Sequence, residues 1–152
     1  MSATIVLIDT SIFDEILGVP GKSQNREQVL DALDGWIQQG ASLLLPMATV
    51  IEAGNHIAQA KGDKQGRIIA EQYVKQVRMA MTDQSPFTAT PGFNPDRVLE
   101  WIDAYPDYAV RGIGTADLSI IKEWERQREL NPHRRVLIWT LDGDLIGYDS
   151  SP

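Results

Sequence analysis

The sequence predicts an α/β protein, a three-layer sandwich with a central, mostly parallel sheet of four or five strands. Short, continuous apolar runs occupy positions 5–8, 41–45 and 136–140. Runs of this kind are typical of strands buried on both faces, which belong to parallel sheets. Segments with helical spacing of apolar residues separate the runs, and this alternation favours a doubly wound sheet with right-handed crossovers.

The elements of the first half are delimited by caps and helix breakers. Ser11 stands where an N-cap is expected for a helix after the first strand, and the Gly and Pro residues of 18–21 end that helix. Apolar residues at helical spacing predict three more helices, over 26–39, 49–60 and 65–81. The strand at 41–45 lies before the second of these and is closed by Pro46.

The second half begins with a segment rich in Thr, Pro, Gly and Ser, residues 82–95, which predicts a loop rather than a domain boundary. The elements then expected are a helix over 95–103, a brief strand over 108–110, a helix over 116–130 capped by Thr115, the strand over 136–140 and a short edge strand over 145–148. No internal repeat is found, and we expect one domain spanning residues 1–152.

Composition excludes several classes of protein. The hydrophobic fraction of 43% and the charged fraction of 23% are ordinary for a soluble globular protein. No apolar run approaches the ~18 residues that cross a bilayer, and no basic stretch precedes the first apolar run, as it would in a signal peptide. The chain has no Cys, which excludes disulfides and thiolate metal sites. We therefore expect a cytoplasmic protein without a membrane segment.

The net charge of −7 bears on the class of partner. A protein that holds nucleic acid mainly through its phosphates is usually basic. An acidic chain acts on RNA where bound cations offset part of its charge and a local basic surface meets the strand. A basic protein is the other partner that this charge suits.

Four carboxylates fall near strand ends, and their placement is more informative than their number. One follows the first strand, one lies early in the helix after the second, one is in the first turn of the 116–130 helix and one follows the last long strand: Asp9, Glu52, Asp117 and Asp142. In an open α/β sheet, the crevice beyond the carboxyl ends of the strands is the usual ligand site. All four side chains are expected to project toward that edge.

A cluster of this kind predicts a metal site. Several ionised carboxylates share a small site only when cations compensate them, because like charges raise each other's pKa. An oxygen-only ligand set, with neither Cys nor a well-placed His, favours hard ions such as Mg²⁺ or Mn²⁺. Such an ion activates water and offsets charge on a phosphate oxygen, which is the chemistry of phosphodiester hydrolysis.

Each carboxylate also has a purely structural interpretation. Thr49 and Glu52 match a capping box, and Asp117 in a first helical turn interacts favourably with the helix macrodipole. Asp9 after a strand and Asp142 before a glycine are common turn residues. The joint arrangement of the four favours a metal site over four separate structural roles.

Four separated segments, spanning nearly the whole chain, resemble the PIN-domain family, which includes the VapC-type toxins of bacterial toxin–antitoxin pairs. They are Val-Leu-Ile-Asp-Thr-Ser at 6–11, Pro-Met-Ala-Thr-Val-Ile-Glu at 46–52, Gly-Thr-Ala-Asp-Leu-Ser-Ile at 114–120 and Val-Leu-Ile-Trp-Thr-Leu-Asp at 136–142. Each motif is weak alone, whereas the ordered set with these spacings is specific.

The resemblance implies an endoribonuclease that hydrolyses phosphodiester bonds in single-stranded or structured RNA. Its acidic quartet, holding one or two Mg²⁺ or Mn²⁺ ions, would be Asp9, Glu52, Asp117 and Asp142, with Asp144 as a second candidate for the fourth acid. Ser11 or Thr140 would support the ligands or the water molecule held there. The implied partners are a second copy of the chain and, for a toxin, a cognate antitoxin that blocks the cleft.

Two alternatives from other classes stay open at this point. One is a PIN-like domain that binds RNA or a protein without cleaving it. The other is a phosphatase or receiver-type protein with an acidic Mg²⁺ pocket. The sequence counts against the phosphatase, because the Asp9-Thr-Ser segment lacks the second Asp of an Asp-x-Asp nucleophile motif.

Few basic residues stand out as substrate contacts. Arg111, just ahead of the Asp117 helix, is the strongest candidate. Glu52 and His56 share a helix face, as metal ligands sometimes do, although a polar helix face is the commoner reason for such a pair. Four cations fall along one side of the 65–81 helix, where they would follow an RNA backbone or pair with Glu71: Lys64, Arg67, Lys75 and Arg78.

Overall fold

The computed structural model describes residues 3–60 and 64–152, and within these ranges it contains five strands and seven helices. The strands are β1 (Ile5–Ile8), β2 (Ser42–Leu45), β3 (Phe87–Ala89), β4 (Val136–Trp139) and β5 (Asp149–Ser150). The helices are α1 (Thr10–Leu17), α2 (Arg26–Gln38), α3 (Met47–Gln59), α4 (Lys64–Met81), α5 (Pro95–Ile102), α6 (Tyr105–Ala109) and α7 (Thr115–Leu130). None of the helices in the described ranges has both the length and the apolar character needed to cross a membrane.

The five strands form one mixed sheet in the order β3-β2-β1-β4-β5. β1 pairs in parallel with β2 on one side and with β4 on the other, so that Ile5 stands opposite both Ser42 and Val136. β3 extends the parallel ladder beyond β2, and β5 runs antiparallel against β4 at the edge. The predicted α/β class with a mostly parallel sheet is confirmed.

The apolar run of β1 is buried on both faces because its side chains alternate between two hydrophobic clusters. Val6 and Ile8 belong to the cluster covered by α1, α2, α3 and α4, and Ile5 and Leu7 belong to the cluster covered by α7. None of the four is more than 2% exposed. Helices on both faces of the sheet give the expected three-layer arrangement.

The carboxyl ends of β1, β2 and β4 meet at one edge of the sheet, because these strands are parallel. A single residue separates β1 from α1 and β2 from α3, so the first turns of both helices lie at this edge. α7 reaches the same edge through its contacts with α3. Residues at these strand–helix junctions are therefore close in space although they are far apart along the chain.

Three predictions about short elements are wrong. Residues 108–110 form the end of α6 rather than a strand, since Pro106 in the first turn of α6 has the φ that a helix requires. The segment 82–95 contains β3, which is paired with β2. The edge strand lies at Asp149–Ser150 instead of 145–148, although the Tyr148 carbonyl accepts a hydrogen bond from the Ile138 N–H at 2.9 Å.

Two predicted helix caps are also wrong. Asp9 rather than Ser11 caps α1, because Asp9 has extended backbone angles and its carboxylate accepts a hydrogen bond from the Ser11 N–H at 3.4 Å. Gly114 occupies the cap position of α7, so that Thr115 is the first helical residue. As the cap of α1, Asp9 lies at the junction of β1 and α1, where its side chain faces the sheet edge.

Candidate functional site

A cleft of about 330 Å³ opens at this sheet edge. Six acidic residues line it, and the four predicted from the sequence are among them: Asp9, Glu52, Asp117 and Asp142. They come from the end of β1, from the second turn of α3, from the first turn of α7 and from the segment after β4. The structure thus brings all four predicted acids to one place, here called the acid cleft.

Asp9 is held by two hydroxyl groups. The Ser11 and Thr140 hydroxyls each donate to Asp9 Oδ2 at 2.8 Å, and they lie 3.3 Å from each other. Asp9 is only 3% exposed, so these hydrogen bonds compensate part of the cost of burying its charge. Within the described residues, all the hydrogen bonds to its side chain reach Oδ2, which leaves Oδ1 available for a ligand.

The turn after β4 is anchored to the same hydroxyls. The Leu141 N–H donates to Ser11 Oγ, and the Asp142 N–H donates to Thr140 Oγ1, both at 2.9 Å. The Asp144 N–H donates to Asp142 Oδ1 at 2.9 Å. Ser11 and Thr140 therefore orient Asp9 and the acidic turn together, which is a positioning role for both.

The tightest group of acids consists of Asp117, Asp142 and Asp144. One carboxylate oxygen from each lies within 4.8 Å of the others. The sequence left open whether Asp142 or Asp144 is the fourth acid, and the structure puts both beside Asp117. Asp9 and Glu52 line the adjoining wall of the acid cleft but are not members of this triad.

Asp117, in the first turn of α7, has a strongly perturbed carboxyl group. Burial raises its pKa to about 7, and the negative charges of Asp9, Asp142, Glu52 and Asp144 contribute in the same direction. Its carboxylate also lies at the N-terminal end of α7, where the helix dipole favours a negative charge. Burial and like-charge repulsion, which raise the pKa, act in the opposite direction to the dipole.

Glu52 has a buried oxygen without a partner. Its Oε1 is inaccessible to solvent and makes no hydrogen bond within the described part of the chain. Burial, followed by the charge of Asp9, raises its pKa. The capping-box interpretation is wrong, because α3 begins at Met47 and the Thr49 hydroxyl donates to the Ile8 carbonyl at 2.7 Å. Glu52 has no capping role, and its orphaned oxygen suits a bound cation.

Asp14 and His56 form a pair at the acid cleft that was missed from the sequence. His56 Nδ1 lies 2.6 Å from Asp14 Oδ2, and both residues line the cleft. Asp14 is 1% exposed, and its Oδ1 has no hydrogen-bond partner among the described residues. Burial raises the pKa of Asp14, and the hydrogen bond from His56 opposes that shift. No signal for this pair was present in the sequence, because Asp14 lies outside the arc of α1 that carries Ile12, Phe13, Ile16 and Leu17.

The predicted basic contacts lie elsewhere. Arg111 is not among the residues that line the acid cleft; its guanidinium carbon is 4.5 Å from the centroid of the Tyr108 ring. Arg67 on α4 forms an exposed ion pair with Glu71 at 3.0 Å, in agreement with the pairing alternative. The side chain of Lys64 lies outside the described structure. Lys22 is the basic side chain that does line the cleft.

The residues present fit a hard divalent cation. The triad offers only carboxylate oxygens, which Mg²⁺ and Mn²⁺ prefer over softer ligands. The raised pKa values of Asp117 and Glu52 show that nearby side chains supply little compensating positive charge. The orphaned Glu52 Oε1 lies in the wall of the same cleft. A cation at the triad would compensate its carboxylates.

Comparisons with protein-family models, with curated protein sequences and with solved structures found no match to this chain. These comparisons therefore show no family for the chain. The strongest functional observation is the geometry of the acid cleft.

Proposed function

We propose that this protein is a Mg²⁺- or Mn²⁺-dependent endoribonuclease of the PIN-domain kind, a single domain spanning residues 1–152. The observation that carries the proposal is the triad of carboxylate oxygens within 4.8 Å of one another, contributed by Asp117, Asp142 and Asp144. Two further acids, Asp9 and Glu52, line the acid cleft together with Asp117 and Asp142. This donor set, at the carboxyl edge of a parallel sheet, is suited to phosphodiester hydrolysis.

A divalent cation bound here would lower the pKa of a water molecule and offset charge on a phosphate oxygen. The chain's own residues hold and orient it. Asp117, Asp142 and Asp144 would supply oxygens to the cation, and Asp9 and Glu52, on the adjoining wall, would be further ligands. Ser11 and Thr140 fix the Asp9 carboxylate in one orientation, so little reorganisation is needed on binding.

The motif resemblance extends the proposal to biological role. The protein would be the toxin of a type II toxin–antitoxin pair in the cytoplasm, inhibited by an antitoxin that covers the acid cleft. It would also form homodimers. The net charge of −7 would suit a basic segment of such an antitoxin, because opposite charges speed association and improve specificity.

The proposal is tested by cleavage of labelled single-stranded RNA with Mg²⁺, with Mn²⁺ and with EDTA. Asp117→Asn and Asp142→Asn should each reduce cleavage by at least roughly 100-fold, since even residues that only support metal ligands contribute 10–100-fold. Asp34→Asn is the matched control, because Asp34 is exposed on α2 and does not line the cleft. It should cleave like the wild type.

Two results would count against the nuclease. Cleavage that is unchanged by EDTA would remove the metal-dependent mechanism. RNA binding without cleavage under any cation would favour the non-catalytic PIN-like binding domain instead. Calorimetry with Mn²⁺ on the wild type and on Asp117→Asn then decides whether the acid cleft binds a cation at all.

A further inference from the structure

Two further cavities extend the acid cleft toward α5. The first, of about 270 Å³ and here called the side groove, shares Glu52 with the acid cleft and is also lined by Ile51, Phe93 and Trp101. The second, of about 60 Å³ and here called the cationic pocket, shares Phe93 and Trp101 with the side groove. The three cavities follow one another from the carboxylates to a group of cations.

The side groove presents apolar and aromatic surface to solvent. Ile51 is 48% exposed and Phe93 is 49% exposed. α5, which supplies Trp101, contains no buried residue. Single exposed apolar residues are ordinary on a protein surface. Here they line one groove that opens beside a charged cleft, which is the usual composition of a binding site.

The cationic pocket has an excess of positive charge, although the chain as a whole carries −7. Arg97, Lys122 and Arg126 line it together with Glu100 and Glu123. Arg97 and Lys122 each lie near a glutamate, at 3.7 and 3.1 Å, whereas no ion pair of Arg126 is found within residues 3–60 and 64–152. The first turn of α3 also lines the pocket, and the helix dipole adds partial positive charge.

We infer that the side groove and the cationic pocket bind single-stranded RNA beside the acid cleft, an inference that rests on the proposed nuclease function. A base stacks on the exposed ring of Phe93, beside Trp101, and a phosphate of the same strand lies at Arg126. Aromatic platforms combined with a cationic groove are the features that bind single strands without sequence preference. An apolar helix of a protein partner would match the aromatic surface but not the cationic end, so charge complementarity favours RNA.

Stacking is tested through the affinity for a short, fluorescent single-stranded RNA, measured by anisotropy in EDTA so that cleavage does not contribute. Phe93→Ala should raise Kd roughly 10-fold, the size of effect that one lost base–aromatic contact produces. Phe93→Trp should retain the affinity and Phe93→Leu should not, because leucine keeps apolar area but has no ring. Val74→Ala is the matched control, since Val74 is 48% exposed on α4, away from the groove.

The phosphate contact is tested through the salt dependence of the same affinity. Arg126→Gln should reduce the slope of log Kd against log salt concentration by about 0.7, the value for one contact to a single strand. Arg78→Gln on α4 should leave the slope unchanged, which also tests the alternative that α4 follows the RNA. A slope that falls in Arg78→Gln and not in Arg126→Gln would overturn the assignment.

Failure of this inference is distinguishable from failure of the nuclease proposal. In one outcome the wild type cleaves RNA and Asp117→Asn does not, while Phe93→Ala and Arg126→Gln bind RNA like the wild type. The assignment of the side groove and the cationic pocket is then wrong, and the nuclease proposal stands. If no variant or condition gives cleavage but Phe93→Ala weakens RNA binding, the side groove does bind RNA and the protein is not a nuclease. A groove made for a protein helix would leave RNA affinity unchanged in all the Phe93 variants, which contradicts the inference.

Discussion

The raised pKa of Asp117 makes cation binding dependent on pH in the physiological range. A carboxyl group with a pKa of about 7 is about 10% ionised at pH 6 and about 90% ionised at pH 8. Because a cation binds the ionised form, the apparent affinity for Mn²⁺ should rise about 10-fold between these pH values and level off above them. Calorimetric titrations at a series of pH values measure this directly.

The same shift determines how stability varies with pH when no cation is bound. The pKa of Asp117 is raised in the folded protein, from 3.8 to about 7, so the folded state retains a proton that the unfolded chain has lost. Stability therefore falls as the pH rises through this interval and is constant above it. The full shift corresponds to about 4 kcal/mol, and solvent screening of this partly exposed group reduces it to the order of 1–2 kcal/mol.

Asp117→Asn removes this unfavourable charge. In EDTA it should raise the melting temperature at about pH 8 by roughly 3–6 °C, from 1–2 kcal/mol in a chain of this size. Near pH 5.5 the difference should be about half as large, because stability is lost steadily between pH 3.8 and about 7, and below about pH 4 it should disappear. Asp34→Asn should show no such dependence on pH. An equal effect of Asp117→Asn at both pH values, or an Mn²⁺ affinity that does not change between pH 6 and 8, would refute the raised pKa.

Three further outcomes are expected. Mn²⁺ at a hundred times its Kd should stabilise the wild type by about 2.7 kcal/mol in thermal unfolding, and Asp117→Asn should lose most of this gain. Thr140→Val and Ser11→Ala each remove a hydroxyl that orients Asp9, so Mn²⁺ affinity by calorimetry should fall roughly 10–100-fold. The melting temperature should fall as well, because the buried Asp9 carboxylate loses a hydrogen bond. His56→Gln weakens the compensation of the buried Asp14 charge and should lower the free energy of unfolding in urea by about 3 kcal/mol at neutral pH. The double variant with Asp14→Asn should recover part of that loss. Fully additive effects of the two substitutions would contradict the pairing.

The long elements were predictable because each carries its own signal. β1 is a continuous apolar run that is buried on both faces, and α7 extends over 16 residues with Leu118, Ile121 and Trp124 on its core side. The short elements gave no such signal. β3 has three residues and β5 has two, and each is defined by hydrogen bonds to a neighbouring strand rather than by its own composition. Sequence patterns over so few residues cannot distinguish a strand from a loop.

The acid cleft was predictable only as far as topology determines it. The carboxyl ends of parallel strands share an edge, so acids that follow β1 and β4 converge whatever the packing details are. The Asp14–His56 pair instead depends on how α1 and α3 lie against each other, which neither sequence segment reveals. The position of Asp144 depends on the turn after β4, whose hydrogen bonds run through Ser11 and Thr140.

The distribution of charge, rather than its sum, determines whether this chain is compatible with RNA. Six carboxylates and one lysine line the acid cleft: Asp9, Asp14, Glu15, Glu52, Asp117, Asp142 and Lys22. One of them, Glu15, accepts a hydrogen bond from the Asn25 N–H at 3.1 Å, so part of this charge serves the fold. The others would repel a phosphate unless a cation were bound, and the positive charge of Arg97, Lys122 and Arg126 lies at the far end of the side groove. Such a surface would hold the neighbouring part of the RNA by base stacking and through the cationic pocket. It would accept a phosphate at the acid cleft only together with a divalent ion. The net charge of −7 is therefore no argument against an RNA substrate.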